Sequence, residues 1–348
     1  GKGAVTHNHP AHVGPIGVIG SSSANALAVQ ADVILAVGTR LQDFTTGSWT
    51  AFSHDAEFIS INTARWDATK HRALAVVGDA LETVTELDGA LGDWQADTVW
   101  MERGRKEFAE WNRILDQHQE PGNAGVPTYA QVVGTVNHKA GERDLIVTAA
   151  GGLPGEVTKG WRVKAPGTFD CEFGFSCMGY EIAGGWGAAM ADETRTPIVM
   201  TGDGSYLMMN SDIYSSVLSG HKMIVVVCDN GGFAIINRLQ NFKGGASFNN
   251  LIKDCKVKEP FAVDFAKHAE SMGAAARHCE SLVDLEVALD WARTTDRTTV
   301  ISIVTDGFAW VPGDAAWDLG VPEVSDREEV DAARKDQEEI RAGQRIGV

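Results

Sequence analysis

The sequence predicts an α/β protein made of two domains, each a parallel sheet flanked by helices, with the first a partial Rossmann-like domain. Short runs of Val, Ile and Leu alternate with segments of helical periodicity along most of the chain. Such alternation favours parallel sheets whose strands are joined by helices. A length of 348 residues fits about two domains.

Residues 1–92 are predicted to form part of the first domain. The run DVILAVG at 32–38 predicts a buried strand, because nearly every position is apolar. The other predicted elements of this domain are a helix at 23–30, strands at 58–62 and 75–77, and a helix at 80–91.

A connector is predicted at 93–126, and a C-terminal tail at 311–348. The connector contains a charged amphipathic helix at 100–117, and a linker rich in Gly and Pro follows at 120–127. The tail ends in a charged surface helix at 326–344.

The second domain is predicted at 127–310. Thr128 is a candidate N-cap for its first helix. The remaining predicted elements are strands at 145–148, 198–200, 223–228 and 299–304, and helices at 207–218, 233–240, 264–272 and 282–292.

Two strands of this domain each end in a turn that carries a polar residue. The strand at 198–200 runs into Gly-Asp-Gly, whose acid is Asp203, and the strand at 223–228 runs into a turn that holds Asn230. A helix at 207–218 with Gly220 as its stop joins the two strands, so this stretch predicts a βαβ unit. Parallel strands end at one edge of the sheet, where Asp203 and Asn230 should meet.

A carboxylate and an amide carbonyl are hard oxygen ligands, and Mg²⁺ takes few of them from protein when it also binds phosphates. Gly204 and Ser205 leave backbone N–H groups at the start of the following segment, where a phosphate is favoured. The Gly-rich loop at 149–155 also follows a strand. The sequence therefore predicts a site for Mg²⁺ and a diphosphate at this edge.

Composition excludes some other functions. The formal net charge is −17 and no long basic block is present, which disfavours nucleic acid and membrane surfaces as partners. No apolar run reaches the length of a membrane span. Five cysteines without a CxxC pair are typical of reduced thiols, so we expect a cytoplasmic protein.

The GDG and DNGGF motifs at 202–204 and 229–233 resemble those of thiamine diphosphate enzymes in the acetohydroxyacid synthase and pyruvate decarboxylase superfamily. The resemblance implies that Asp203 and Asn230 bind Mg²⁺ through their side chains and Gly232 through its carbonyl oxygen. It also implies a set of cofactor-binding residues: Gly151, Gly152, Leu153, Ser176, Met178, Gly204, Ser205, Asn230 and Gly232. In this set the Ser176 carbonyl would accept from the aminopyrimidine, and Met178 would wedge between the two cofactor rings.

Five further segments resemble one branch of this superfamily, the hydrolases that open a cyclic 1,2-diketone to 5-deoxy-glucuronate in myo-inositol catabolism. They are AAGGLPGE at 149–156, CEFGFSCMGYEIAGGWG at 171–187, GDGSYLMMNSDI at 202–213, DNGGFAIINRLQ at 229–240 and DLGVPEVS at 318–325. The resemblance implies a small cyclic diketone as substrate and a homodimer or homotetramer as the assembly.

Enzymes of this superfamily also need a Glu near the cofactor's N1′ atom, which they take from an N-terminal pyrimidine-binding domain. No such domain is expected within residues 1–348, so no catalytic residue is assigned, and Glu156, Glu172 and Glu181 lie outside that motif. We therefore expect that this domain comes from a missing N-terminal part or a partner subunit, and that the chain alone is half an active site.

Three alternatives stay open at this point. Another thiamine diphosphate lyase or synthase, such as one like acetohydroxyacid synthase, would use the same metal and diphosphate residues. A non-catalytic subunit with the same fold would explain the missing Glu. A nicotinamide-binding dehydrogenase is least favoured, because no strand precedes the glycines at 14, 17 and 20.

Overall fold

The computed structural model describes residues 1–122, 125–257, 259 and 261–345, and it confirms an α/β chain with two parallel sheets. The chain forms two compact units. The first comprises Gly1, His9–Ile114 and Pro312–Val348, and the second comprises Lys2–Asn8 and Leu115–Val311. The domain limits expected from the sequence stay predictions.

The strands are, in chain order, β1 Val33–Val37, β2 Glu57–Asn62, β3 Leu74–Val77, β4 Leu145–Thr148, β5 Phe169–Cys171, β6 Pro197–Gly202, β7 Ile224–Asp229, β8 Ala275–Cys279 and β9 Thr299–Val304.

The helices are α1 Ser22–Ala28, α2 Asp43–Thr46, α3 Arg65–Ala68, α4 Ala80–Leu91, α5 Thr98–Gln119, α6 Tyr129–Lys139, α7 Leu153–Gly160, α8 Tyr180–Ala191, α9 Asp203–Met208, α10 Ser211–Ser219, α11 Ala234–Phe242, α12 Phe265–Ser271, α13 Leu282–Thr294 and α14 Glu328–Ala342. Short 3₁₀ turns lie at Lys70–Arg72 and Ile252–Asp254.

The sheet of the first unit has the order β1-β2-β3, with parallel pairing throughout. One face packs on a small apolar cluster that includes Ala28, Ala36, Phe52 and Phe58. Helix α4 begins where the sequence predicts, because the Asp79 side chain accepts hydrogen bonds from the first free N–H groups of the helix.

The prediction of a buried strand at 32–38 is wrong for one face of β1. Val33, Leu35 and Val37 are 50%, 46% and 40% exposed, while Ala36 between them is buried. Successive side chains of a strand point to opposite faces, so a strand covered on one side only buries every second residue. An all-apolar run does not show whether the second face is covered.

The sheet of the second unit has the order β5-β4-β6-β7-β9-β8, again parallel. Each central strand is buried on both faces. In β7, Ile224, Val226 and Cys228 belong to one apolar cluster, whereas Val225 and Val227 belong to another. Continuous apolar runs are the sequence pattern of such doubly covered strands.

Several element predictions are confirmed, including α4, β4 and β9, and Gly220 ends α10 in the left-handed conformation. The single helix predicted at 207–218 is wrong. The chain breaks between α9 and α10 at Met209, whose φ of −144° and ψ of 69° are not helical. Met209 packs directly on Gly179, where an added Cβ would lie 2.2 Å from the Met209 Cβ.

The elements that were not predicted include α2, α3, α7, β5 and β8. Helix α7 starts inside the predicted Gly-rich loop, and Pro154 in its first turn fits a helix start, where its missing N–H has no partner in any case. Positions 123–124 of the predicted linker and 346–348 of the predicted tail lie outside the described residues.

Across the described ranges, none of the helices combines the length and apolarity that crossing a membrane requires.

Candidate functional site

The site lies in the second unit, at the carboxyl edge of its sheet. Strands β6 and β7 are parallel neighbours, and Gly202 at the end of β6 pairs with Cys228 in β7. Asp203 therefore opens α9 beside the turn that carries Asn230. The sequence predicted this meeting from the two strand ends.

Asp203 is 4% exposed, and its carboxylate is only half satisfied. Its Oδ2 accepts a 2.7 Å hydrogen bond from the Gly232 main-chain N–H, while its Oδ1 has no hydrogen-bond partner among the described residues. Burial, followed by repulsion from the Asp229 carboxylate, raises the pKa of Asp203 to about 7. A buried carboxylate of this kind gains from a nearby cation.

Asn230 presents a second unsatisfied oxygen. Its Nδ2 donates a 2.5 Å hydrogen bond to the Tyr129 hydroxyl, and its Oδ1 is buried without a partner in the part of the chain that is described. Two buried polar oxygens without partners are costly unless something outside the protein satisfies them. Carboxylate and amide oxygens suit Mg²⁺, so these residues fit the predicted metal.

Gly232 can be only glycine in this turn. Its φ is +136°, and an added Cβ would lie 2.4 Å from the Asn250 carbonyl oxygen. The adjacent Phe233 N–H donates to that same carbonyl at 2.8 Å. Because the turn can pass this close to Asn250, the Gly232 N–H reaches the Asp203 carboxylate.

These residues surround a cavity of about 190 Å³. All the residues assigned to metal or cofactor from the sequence line it: Gly151, Gly152, Leu153, Ser176, Met178, Asp203, Gly204, Ser205, Asn230 and Gly232. Their roles stay predictions, but the structure brings them together from four separate segments of the chain.

The loop between β4 and α7 forms one wall of the cavity. Gly151 has a φ of +97°, and an added Cβ at Gly152 would lie 2.1 Å from the Trp310 ring. Leu153 begins α7 and is buried. Small residues here let the backbone approach a ligand closely.

The segment before α8 forms the opposite wall. The Glu172 carboxylate accepts hydrogen bonds of 2.9 Å from the N–H groups of Phe175 and Cys177, which curls the chain so that Ser176 and Met178 both line the cavity. Ser176 adopts a left-handed φ of +53° within this curl.

At Gly204, an added Cβ would lie 2.7 Å from the Phe233 ring and 3.5 Å from the Met178 methyl carbon. The absence of a side chain therefore lets Phe233 and Met178 close on the start of α9. This contact joins the end of the cavity that holds Asp203 to the wall that holds Met178.

Glu181 is a structural residue of the site that the sequence analysis left without a role. It is fully buried in the first turn of α8 and accepts hydrogen bonds from the N–H groups of Ala150 and Gly179 at 3.1 and 2.9 Å. It also accepts from the Ser205 hydroxyl at 2.8 Å. The Ser205 hydroxyl is thus engaged with protein, so any contact of this residue with a phosphate falls to its main chain.

Burial raises the pKa of Glu181, although its hydrogen bonds oppose that rise. The sequence signal for this residue was weak, because a Glu in the first turn of a helix is ordinary on a surface. Its burial follows from the small residues that let α8 pack closely: an added Cβ at Gly185 would lie 2.2 Å from a Val199 methyl.

Tyr129 also lines the cavity and was not predicted as a site residue. The sequence offered no signal for it beyond its place next to the N-cap Thr128. Phe233, Ile235 and Ile236 add an apolar wall. Of the His, Cys, Asp and Glu side chains in the described ranges, no three form a group that could hold a metal.

Comparisons with known protein families also indicate a thiamine pyrophosphate enzyme. Residues 149–303 match the family described as thiamine pyrophosphate enzyme, C-terminal TPP binding domain, and residues 1–87 match the thiamine pyrophosphate enzyme central domain. The first match contains every residue assigned to the site from the sequence.

Similar curated proteins are named 3D-(3,5/4)-trihydroxycyclohexane-1,2-dione hydrolase. Those of Geobacillus thermodenitrificans and Bacillus subtilis are 34% and 33% identical to this chain, and that of Listeria monocytogenes is 32% identical. Each alignment covers 97% of this chain and 57% of the relative. The chain thus spans a little over half the length of these relatives.

Proposed function

We propose that this chain, whose residues 1–87 and 149–303 match two domains of the thiamine pyrophosphate enzymes, binds thiamine diphosphate through Mg²⁺ in its second unit. We propose further that the protein cleaves a carbon–carbon bond of a cyclic 1,2-diketone by hydrolysis, converting 3D-trihydroxycyclohexane-1,2-dione to 5-deoxy-glucuronate in inositol catabolism. The names of the similar curated proteins support this substrate.

The observation that carries the metal proposal is the pair of buried oxygens without partners, Asp203 Oδ1 and Asn230 Oδ1. A divalent cation bound to both would satisfy them together and would offset the burial of the Asp203 charge. The Gly232 carbonyl is the third proposed ligand. Its backbone is held in place by the hydrogen bond from its N–H to Asp203.

The cofactor's diphosphate is assigned to the glycine-lined part of the cavity. Gly151, Gly152 and Leu153 lie on one side and the main chain of Gly204 and Ser205 on the other. Backbone N–H groups at the start of helices favour phosphate oxygens. We assign Ser176 to the cofactor's aminopyrimidine and Met178 to the gap between the two cofactor rings. A flexible thioether suits such a gap.

When bound, thiamine diphosphate supplies a carbon nucleophile that also takes up the electrons of the breaking bond. The chain's own residues bind the cofactor and hold its orientation. Phe233, Ile235 and Ile236 provide an apolar wall beside the metal residues. A low-polarity wall strengthens electrostatic interactions inside a site.

The proposed active site also needs a pyrimidine-binding domain, from an N-terminal part or a partner subunit of a homodimer or homotetramer. An apolar rim near the cavity supports such a partner. Phe175, Met208, Met209 and Ile236 are 89%, 55%, 48% and 49% exposed. Exposed apolar side chains near a cavity are typical of interaction surfaces.

The metal assignment is tested with Asp203→Ala. Titration calorimetry with thiamine diphosphate and Mg²⁺ should show that Mg²⁺-dependent binding is lost, because the diphosphate loses its bridging cation. Asp296→Ala is the matched control, since this Asp is exposed and lies before β9, at the other edge of the sheet. Unchanged affinity in Asp203→Ala would contradict the proposal.

The substrate is tested separately. Ring opening of the cyclic dione, followed by mass spectrometry, is compared with consumption of pyruvate by the same preparation. Pyruvate condensation without ring opening would favour a lyase or synthase like acetohydroxyacid synthase. Cofactor binding without either reaction, with the pyrimidine-binding domain present, would favour a non-catalytic subunit.

A further inference from the structure

We infer that Tyr129 is a positioning residue that fixes the Asn230 amide with its oxygen toward the metal site and its NH₂ group away from it. The inference rests on the proposed function, because it concerns a proposed metal ligand. It concerns how the chain prepares that ligand before any metal arrives.

The geometry of the amide carries the inference. Asn230 Nδ2 donates to the Tyr129 hydroxyl at 2.5 Å, and this hydrogen bond engages the nitrogen end of the amide. At the other end, Oδ1 is buried and has no partner among the described residues. Both residues line the same cavity.

The orientation matters because the two ends of an amide have opposite chemistry. The oxygen accepts hydrogen bonds and binds cations, whereas the NH₂ group only donates. The Thr305 hydroxyl donates to the Asp229 carbonyl at 3.3 Å, so the hydrogen bond between Tyr129 and Thr305 uses the phenol O–H and leaves the phenol oxygen as an acceptor. A flipped amide would turn two N–H groups toward the cation, and its oxygen could pair with Tyr129 only by taking that O–H from Thr305. The phenol oxygen therefore selects the orientation that binds metal.

Tyr129 is itself held firmly. It is 2% exposed and is the first residue of α6. The preceding Thr128 forms a reciprocal capping box with Gln131, and its backbone also bridges to Asp306 after β9. The ring packs edge-on against Trp310, with centroids 5.9 Å apart. The hydroxyl thus has a fixed position from which to orient the amide.

The phenol acts through this hydrogen bond and carries no charge of its own. A neutral phenol adds no ligand charge at the metal site. Its effect on the metal must therefore pass through Asn230.

The test is a double-mutant cycle with Asn230→Asp. A carboxylate presents an oxygen in either orientation, so it does not need Tyr129 to choose one. Tyr129→Phe removes the hydroxyl. It should therefore weaken metal binding strongly in the chain with Asn230 and much less in the Asn230→Asp variant.

The readout is Mn²⁺ bound by the full chain in the presence of thiamine diphosphate, followed by the paramagnetic resonance signal of free Mn²⁺. Tyr129→Phe should lower the affinity about 10- to 100-fold, as outer-sphere partners of metal ligands commonly do. In the Asn230→Asp background the same change should cost less than about threefold. Tyr206→Phe is the matched control, because Tyr206 is as buried and its hydroxyl lies 3.0 Å from His268 Nδ1.

Three outcomes overturn the inference. The first is that Tyr129→Phe binds Mn²⁺ within twofold of the unmodified chain. The second is that Tyr129→Phe lowers the Mn²⁺ affinity equally with Asn230 and with Asn230→Asp. The third is that Tyr206→Phe lowers the Mn²⁺ affinity as much as Tyr129→Phe does. Failure of the proposed function looks different, because the unmodified chain would then show no binding of Mn²⁺ that depends on thiamine diphosphate and on Asp203.

Discussion

The carboxylate of Asp203 accepts a 2.7 Å hydrogen bond from the main-chain N–H of Gly232. This bond ties the first residue of α9 to the turn after β7, so the ends of two neighbouring strands are locked together. It uses one carboxylate oxygen and leaves the other without a partner in the described ranges. The hydrogen bond therefore holds the proposed ligands Asp203 and Gly232 in place before any metal is bound.

Gly232→Ala should weaken Mg²⁺-dependent binding of thiamine diphosphate by about tenfold or more, because residues in such strained positions cost about 1–3 kcal/mol even without a clash. Here the added Cβ also meets the Asn250 carbonyl at 2.4 Å. Titration calorimetry measures the effect. Gly231→Ala is the control, with a positive φ of +78° but no described atom within 4 Å of the added Cβ. Equal losses in both variants would mean that the Asn250 contact is irrelevant.

Met178→Ala should lower turnover more than it lowers cofactor affinity. The metal and diphosphate contacts stay intact, but the side chain proposed to separate the two cofactor rings is gone, and misplacement of reacting groups can cost about 100-fold in rate. The measurements are kcat and the Kd of thiamine diphosphate. Met190→Ala, at a 45% exposed position on α8, is the control. Normal turnover in a folded Met178→Ala protein would make this residue part of the packing only.

The first unit should lose stability as the pH falls below about 6.5, because of His71. This ring is 1% exposed, stacks on Phe58 with centroids 4.8 Å apart, and has no partner on either nitrogen among the described residues. Burial, and then the charges of Arg345 and Lys70, lower the pKa of His71 to about 3. The unfolded chain binds a proton from about pH 6.5 downward and the folded chain does not, so stability is lost between these values.

At pH 5 the loss should reach about 2 kcal/mol relative to pH 7. Hydrogen exchange of the β2 segment, measured at several pH values, reports it. His71→Phe should flatten this pH dependence, whereas a change at the exposed His54, such as His54→Phe, should leave it in place. An unchanged slope in His71→Phe would refute the explanation.

Residues 1–348 made alone should not open the dione ring, even with excess thiamine diphosphate and Mg²⁺. The proposed site takes its carboxylate from a pyrimidine-binding domain that we place outside these residues, and without that domain the cavity stays open to water. Adding that domain, joined or separate, should restore activity. Ring opening by the purified 348-residue chain at the rate of the full assembly, with copurified fragments excluded by mass spectrometry, would contradict this prediction.

The amino-acid sequence was sufficient to predict the fold class and to name a set of residues that line one cavity, whose roles stay predictions. Apolar runs at 145–148, 223–228 and 299–304 identified strands, because strands buried on both faces leave a continuous local pattern. Asp203 and Asn230 could be paired from their places after two such strands, since neighbouring parallel strands end at one edge.

Only the tertiary structure decided the contacts of Glu181 and Tyr129, the break at Met209 and the exposed face of β1. Each of these depends on what lies opposite in space. Glu181 meets Ser205 across 24 residues and Asn230 meets Tyr129 across 101. Helix and strand periodicity records which residues share a face of one element, but it carries no information about the residue that the face meets, because that contact is made only when distant segments pack.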